Sequence, residues 1–372
     1  MARILYIGGF ELPDKNAAAQ RVIGISNALY DLKNEIYLIG LTKSEDLQKG
    51  VINNKFKYEE LHYPKGINWL KYLTGYNGIL NKINSLNPDI IILYNYPSLA
   101  MRRIISFSKN KNIKLIADTT EWYEGSGNFI KKYIKNQDVN LRMRKLNFKL
   151  DGQIVISSFL KEYYNSNNIV EIPPLFDTED NKFDNKFDNF KITDERINLI
   201  YSSSPGNGNK DRLDKIIKEV AKFDNLFLNV IGITKNQYNK IFFDSNVYNN
   251  VKFHGRIKHI DALNLIKNSD FTIFLRENNL TNTAGFPTKF AESISIGTPV
   301  ITNSSSNLKE YFKFKIGYEI MGTETKDINN VLSTISKLKK GEILELKKHC
   351  YNSKLFDFRN YKTQIISLFS SI

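Results

Sequence analysis

The stretch "AGFPTKFAESISIGTPVI", residues 284–301, sits between two apolar runs, Asp270–Leu275 and Pro299–Thr302. Unbroken apolar runs of that length suit strands buried on both faces of a parallel sheet. Pro287 suits the first turn of a helix, where its missing N–H costs nothing, and Gly297 suits the stop. Strand, short helix and strand make the repeating unit of a doubly wound α/β fold. Glu292 then falls about a turn and a half into a helix that opens at the carboxyl end of a strand. Ligands bind at that end of such sheets, and the N–H groups of a helix start there favour an anion.

The same alternation extends outward in both directions. Towards the N-terminus, strands are expected at Ile4–Ile7, Glu35–Leu41, Ile90–Leu93, Ile113–Ala117 and Gln153–Ile156. Helices are expected at Ala17–Leu32, Trp69–Leu86, Ser98–Ser108 and Asn128–Leu150. A polar segment follows in which Lys-Phe-Asp-Asn occurs twice in tandem, read as a linker or surface loop. The pattern then restarts, with strands at Ile197–Tyr201, Leu226–Ile231, Val251–Phe253 and Phe271–Leu275 and helices at Arg212–Phe223, Ala262–Ile266 and Pro287–Ile296. A long final helix is expected from about Leu344. At 372 residues the chain has room for two such domains: 1–178 with a returning helix at about 355–372, a linker at 179–194, and 195–354.

Composition narrows the function. No apolar run approaches the roughly 20 residues of a membrane span, and no signal peptide precedes the first strand. One cysteine and four histidines argue against a disulfide framework and a structural zinc site, which points to the cytoplasm. The net charge of +14 divides into +8 over residues 1–175 (24 Lys+Arg, 16 Asp+Glu) and +6 over the rest (29 and 23). A spread excess without a nucleic-acid motif does not make a nucleic-acid face; phosphorylated substrates or acidic lipid remain.

Several strand ends carry groups with chemistry. Gly8 and Gly9 follow the first strand, without a GxGxxG fingerprint, and allow either a tight turn or close approach of a ligand. "SSSPGNGNKD" ends in Lys210 at a helix start, a phosphate cradle or an ordinary flexible loop. Arg256 and Arg276 follow two further strands, so three cations are expected on the side of the Pro287 helix, as a diphosphate site requires. Asp118 and Glu121 follow Ile113–Ala117, as acid, base, hydroxyl ligand or helix cap.

Taken together, "RENNLTNTAGFPTKFAESISIGTPVI", Gly8-Gly9, "DGQIVISSFLKEYY" leading to "IPPL", "SSSPGNGNKD" and "FHGRIKHIDALNLIKNSDFTIFLR" resemble, in order, the retaining glycosyltransferases of family 4. The resemblance implies a GT-B fold, two doubly wound Rossmann-like domains facing a central cleft. It implies transfer from a nucleotide-diphosphate sugar, UDP-linked in preference to GDP-linked, to a glycan or lipid-linked acceptor in bacterial surface polysaccharide synthesis. Glu292 would bind the ribose. Gly285, Phe286 and Pro287 would line the donor sugar and diphosphate; Lys210 and the Gly8-Gly9 turn would meet the phosphates. Thr288 and Lys289 stand where an aliphatic pair is common, and Lys289 adds charge near the donor. The first glutamate of the motif falls on Ala284, so its task would pass to Asn282 or to backbone amides. Asp118 and Glu121 lie near the place of a histidine many members carry. With no Asp-x-Asp motif, no metal or other cofactor is expected. The alternatives are a non-catalytic nucleotide-sugar binding subunit and a UDP-sugar 2-epimerase of the same layout.

Segment 129–149, "FIKKYIKNQDVNLRMRKLNFK", holds seven Lys+Arg against Asp138 alone. As a helix it places Ile130, Ile134, Leu141 and Phe148 on one face, with Lys131, Lys132, Lys135, Arg142 and Lys145 largely off it. That suits either a core-packed helix with a solvated basic face or a peripheral seat on an anionic membrane.

Overall fold

Parallel strands alternating with helices build both sheets among the described residues. The computed structural model describes residues 1–13, 15–75, 78–122, 125, 129–185, 187, 195–202 and 211–372. Two compact units divide it: Met1–Phe176 with Thr283–Phe286 and Phe358–Ile372, and Asp177–Asn282 with Pro287–Asp357.

Unit 1 runs β1 (Arg3–Gly8), α1 (Ala17–Asp31), β2 (Glu35–Thr42), β3 (Lys49–Ile52), β4 (Phe56–His62), α2 (Asn68–Thr74), α3 (Ile79–Leu86), β5 (Ile90–Tyr94), α4 (Ser98–Lys109), β6 (Lys114–Thr119), α5 (Phe129–Leu141), β7 (Gly152–Val155), α6 (Ser158–Tyr164) and β8 (Ile169–Glu171). Its sheet has the order β3-β4-β2-β1-β5-β6-β7-β8. All pairs are parallel except β3 with β4. One apolar layer sets Val22, Ile25 and Leu29 of α1 against Ile4, Tyr6 and Ile92 of the sheet. The other sets Met101 and Ile104 of α4 against Leu5, Ile7 and Leu93. Every second strand residue therefore faces a different helical layer.

Unit 2 runs β9 (Ile197–Ser202), α7 (Leu213–Val220), β10 (Leu226–Ile231), α8 (Lys235–Phe242), β11 (Val251–Gly255), α9 (His259–Asn268), β12 (Phe271–Ile273), α10 (Leu280–Ala284), α11 (Thr288–Ser295), β13 (Val300–Asn303), α12 (Leu308–Phe312), β14 (Gly317–Ile320), α13 (Thr325–Ile335) and α14 (Lys340–Ser353). Its sheet is wholly parallel, in the order β11-β10-β9-β12-β13-β14, the Rossmann order. The strand order reverses between β9 and β12.

Four expectations need correction. The helix expected at Trp69–Leu86 is two, α2 and α3, because Gly75 and Gly78 take left-handed conformations (φ 75° and 80°) that end one and start the next. The helix expected at Asn128–Leu150 tightens and widens in turn: α5 gives way to a π-turn at Arg142–Leu146 and a 3₁₀ turn at Asn147–Lys149. The long final helix is also two, α14 and α15 (Lys362–Ser371), and the second returns to unit 1. Strands β3, β4, β8 and β14 were not anticipated. In the Lys-Phe-Asp-Asn repeat, the described part is anchored: Phe183 is buried and the Asn185 amide donates to Ile296 O at 2.6 Å.

Beneath the unit 2 sheet, Lys347 of α14 is fully buried and donates to the carbonyls of Lys267 (2.9 Å) and Ser269. It thereby caps the last turn of α9. Burial depresses its pKa to about 8, against the opposing pull of Asp270. No helix among the described residues is long and apolar enough to cross a membrane.

Candidate functional site

In unit 2 the switch point between β9 and β12 collects charge. Asp211, nine residues past the end of β9, is almost wholly buried. Lys289 Nζ reaches its Oδ2 at 2.8 Å, Arg276 Nε stands 3.9 Å from its Oδ1, and the Tyr201 hydroxyl donates to it at 3.2 Å. The Lys289 ammonium also lies 5.0 Å from the centroids of both Tyr201 and Phe274. A cation held by one carboxylate and two aromatic faces is fixed in place before any ligand arrives. Arg276 is fixed through its backbone: its N–H donates to Asn303 Oδ1 (2.9 Å) and its carbonyl accepts from Asn303 Nδ2 (2.8 Å). One Asn side chain thus ties the third residue past β12 to the last residue of β13.

Helix α11 starts beside this cluster with Pro287 as N-cap and no side-chain cap on its first turn. Its end is a Schellman motif: Thr298 N–H bonds Ser293 O, Gly297 N–H bonds Ile294 O, and Gly297 takes φ 81°. Glu292, its fifth residue, is nearly buried, and its Oε1 lies 2.9 Å from His259 Nε2 on the first residue of α9. One hydrogen bond between the first residue of α9 and the middle of α11 therefore orients the carboxylate.

The other donor-side candidates divide. Lys210 lies outside the described residues. Arg256 is exposed at the end of β11, three strands from β12 and so roughly 14 Å along the sheet. Arg256 and Arg276 thus share the carboxyl edge of the parallel sheet, as expected, but lie apart along it, and the described cation beside Arg276 is Lys289. Thr288 is half-buried on the first turn of α11. Gly285, Phe286 and Ala284 are buried and group with unit 1, where the Ser157 hydroxyl donates to Ala284 O at 2.7 Å. Asn282 is buried, and its amide nitrogen is engaged by Glu277 O at 2.8 Å, which closes its own loop.

In unit 1 the glycine pair splits. A Cβ on Gly8 would stand 2.6 Å from Tyr94 Cβ and O, so this glycine serves the β1–β5 packing. A Cβ on Gly9 would meet nothing within 4 Å, leaving that backbone open to approach. Asp118 is completely buried: Arg21 binds it through Nη2 (2.7 Å) and Nε (3.0 Å), and the Tyr6 hydroxyl donates to it. Arg21 also donates to Ile172 O at 2.7 Å. Burial opposes the charge on Arg21, but Asp118 beside it prevails and raises the guanidinium pKa. Burial first, and then the Asp118 charge, pushes the Tyr6 phenol well above its usual 10.0. A carboxylate so enclosed ties β6 to α1 and to the end of β8. Glu121 is half-buried and has no side-chain hydrogen bond among the described residues. Also among these, no group of three or more His, Cys, Asp or Glu is placed to hold a metal ion.

Asp211, His259 and Asn303 were not anticipated. Asp211 adjoins Lys210, yet nothing in "NKDR" distinguishes a buried counter-ion from a surface charge. His259 stands 33 residues before Glu292, beyond any local pattern.

Residues 181–353 match the family described as Glycosyl transferases group 1. This segment is a glycosyltransferase domain. No curated protein matches the sequence. Among solved structures, the chain is similar to sucrose-phosphate synthase from Thermosynechococcus elongatus (TM-score 0.76, 12% identity, 100% of this chain and 98% of that one). It is also similar to HepE from Anabaena in complex with UDP-glucose (0.68, 15%, 100% of each). The catalytic domain of starch synthase IV from Arabidopsis thaliana, bound to ADP and acarbose, is a third (0.71, 10%, 99% of each). At these identities the likeness is one of fold, and the fold of this glycosyltransferase is GT-B.

Proposed function

We propose that the enzyme transfers a sugar from a nucleoside-diphosphate donor, a UDP-sugar in preference to a GDP-sugar, to a glycan or lipid-linked glycan, with retention at the anomeric carbon. The observation that carries this reading is the pairing of Lys289 and Arg276 on Asp211 at the switch point of unit 2, beside a helix start without a side-chain cap. As the bond from the anomeric carbon to phosphate breaks, the electron pair and growing negative charge go to the leaving diphosphate. Two prefixed cations and helix N–H groups stabilise that charge without a metal. Glu292 accepts hydrogen bonds from the ribose hydroxyls, held in orientation by His259. The UDP-glucose and ADP complexes of HepE and starch synthase IV support a nucleotide donor. The likeness of "AGFPTKFAE" to the donor helix of retaining enzymes supports retention, and the basic helix α5 supports a lipid-borne acceptor and a role in surface polysaccharide synthesis. The test is release of UDP from a panel of UDP-sugars, with and without acceptor lipid extract, in excess chelator. Turnover that vanishes with chelator and returns with Mg or Mn overturns the metal-free reading; no turnover with any nucleotide sugar overturns the donor.

A further inference from the structure

A cavity of about 280 Å³ opens in unit 1 at the carboxyl ends of β2 and β4, lined by Thr42, Lys43, Ser44, Glu45, His62, Tyr63, Lys65 and Asn68. Its floor is the final register pair of those strands, Thr42 opposite His62. Tyr63 N–H bonds Thr42 O at 2.6 Å and Ser44 N–H bonds Thr42 Oγ1 at 3.2 Å, so both loops that form the walls are tied to that floor.

The exposed ring of Tyr63 lines the cavity, and the exposed ring of Trp69 stands against Tyr63. Tyr63 and Trp69 meet edge to face, 5.3 Å between centroids, and Trp69 continues through Tyr72 (6.1 Å) to Tyr96 (6.2 Å), which is buried. A chain of rings anchored in the core keeps its outer members rigid although they face solvent. Rigid exposed aromatics beside polar groups provide contact area at low entropic cost. Lys43 lies 5.5 Å over the Tyr63 ring and 3.2 Å from Glu11. Among the described residues, the side chains of His62, Lys65, Glu45 and Asn68 make no hydrogen bond within the protein, so their donors and acceptors face the cavity unspent.

We propose that this cavity binds one sugar ring that carries a negative charge, a carboxylate or a phosphate, as part of the acceptor. The volume lies at the lower end of small-molecule sites, which suits a single ring. The Tyr63 ring takes the apolar face of the sugar, Asn68 and Glu45 take hydroxyls, and Lys65, which makes no ion pair among the described residues, meets the anionic substituent. The assignment of the ring to the acceptor rests on the transferase reading above; the binding chemistry does not.

Saturation-transfer NMR on the full chain with glucuronate, glucose 6-phosphate, glucose and inorganic phosphate tests it. Ring-proton signals are expected from the glucuronate or the glucose 6-phosphate, whichever anion the acceptor carries, at affinities about tenfold above glucose. Tyr63→Ala and Lys65→Ser should each remove the signal while UDP binding in calorimetry stays at the wild-type value. Equal signals from wild type and both variants, equal binding of glucose, or full displacement of the sugar acid by inorganic phosphate overturns the proposal. Sugar-acid binding that persists in a protein unable to bind UDP upholds the cavity and defeats the donor reading instead.

Discussion

On the proposed donor reading Glu292 and Lys289 carry different parts of the donor contact, and single substitutions separate them. Glu292→Gln keeps the side-chain shape but loses the ionic acceptor, and Lys289→Met loses a prefixed cation. Each removes a charge-assisted hydrogen bond worth about 1.5–3 kcal/mol, so UDP affinity in calorimetry should fall by one to two decades. Equal affinity in either variant removes that residue from the site. Asp118 behaves differently. Its replacement by Asn leaves Arg21 buried without its counter-charge, and chemical unfolding should show a loss of about 3–5 kcal/mol, with UDP affinity unchanged if the variant is folded. At this scale the sequence disclosed residues that obey a local pattern, such as Pro287, Glu292 and Gly297. It did not disclose what depends on a distant strand. Gly8 reads as a ligand-facing glycine until Tyr94 stands against it, and Asp118 reads as a free acid until Arg21, on the preceding layer, closes over it.

The exposure of helix α5 bears on the two readings of the basic segment. Phe129, Ile130, Tyr133 and Ile134 are exposed by 84, 67, 58 and 52%, and only Val139 on this helix is buried, so its first half is not core-packed. Arg142, by contrast, is buried and donates to Asn95 O at 2.7 Å, which takes it out of the expected basic face. Exposed aromatic and aliphatic side chains interleaved with Lys131, Lys132 and Lys135 suit an anionic lipid surface, with about 1 kcal/mol per cation. Sedimentation with vesicles containing phosphatidylglycerol should capture the protein at low salt and release it at high salt. Lys131, Lys132 and Lys135 replaced by Ser should abolish capture; wild type that ignores such vesicles removes the membrane seat. Helix α14 holds the second test. Lys347 loses its proton in the fold at about pH 8, below the usual 10.5 of an unfolded lysine. Between those values the unfolded chain binds the extra proton, so stability rises with pH. Cys350, pushed up to about 12 from 9.0, acts in the opposite sense above pH 9. The clean window is therefore pH 8–9, where the stability of wild type should gain about 1 kcal/mol on that of Lys347→Met. A difference that stays flat there refutes the buried charge. Strands with continuous apolar runs were legible as elements. The β3–β4 hairpin was not, because only Ile52 of β3 is buried, and a four-residue strand exposed on an edge leaves little periodic signal.

For the molecule as a whole, the alternation of apolar runs was enough to reveal two doubly wound sheets, since each βαβ step writes itself locally. The return of the chain, expected at about 355–372, falls at Phe358–Ile372. Phe358, Ile365 and Leu368 are buried in the same apolar layer of unit 1 as Tyr6, Val22 and Ile154, and Lys362 pairs with Asp31 at 2.6 Å. A chain cut after Asp357 should consequently lose the unfolding transition of unit 1 to lower temperature in calorimetry while that of unit 2 holds. Two transitions at the wild-type temperatures would show the returning segment to be dispensable. The same segment sets a schedule for biosynthesis. A ribosome finishes residues 1–176 and then makes all of unit 2 before Phe358 emerges, an interval of roughly ten to forty seconds at ordinary elongation rates. Throughout it the nascent first unit has an unsealed apolar groove along α1 and β8, the window in which a chaperone, or a neighbouring nascent chain, would find it.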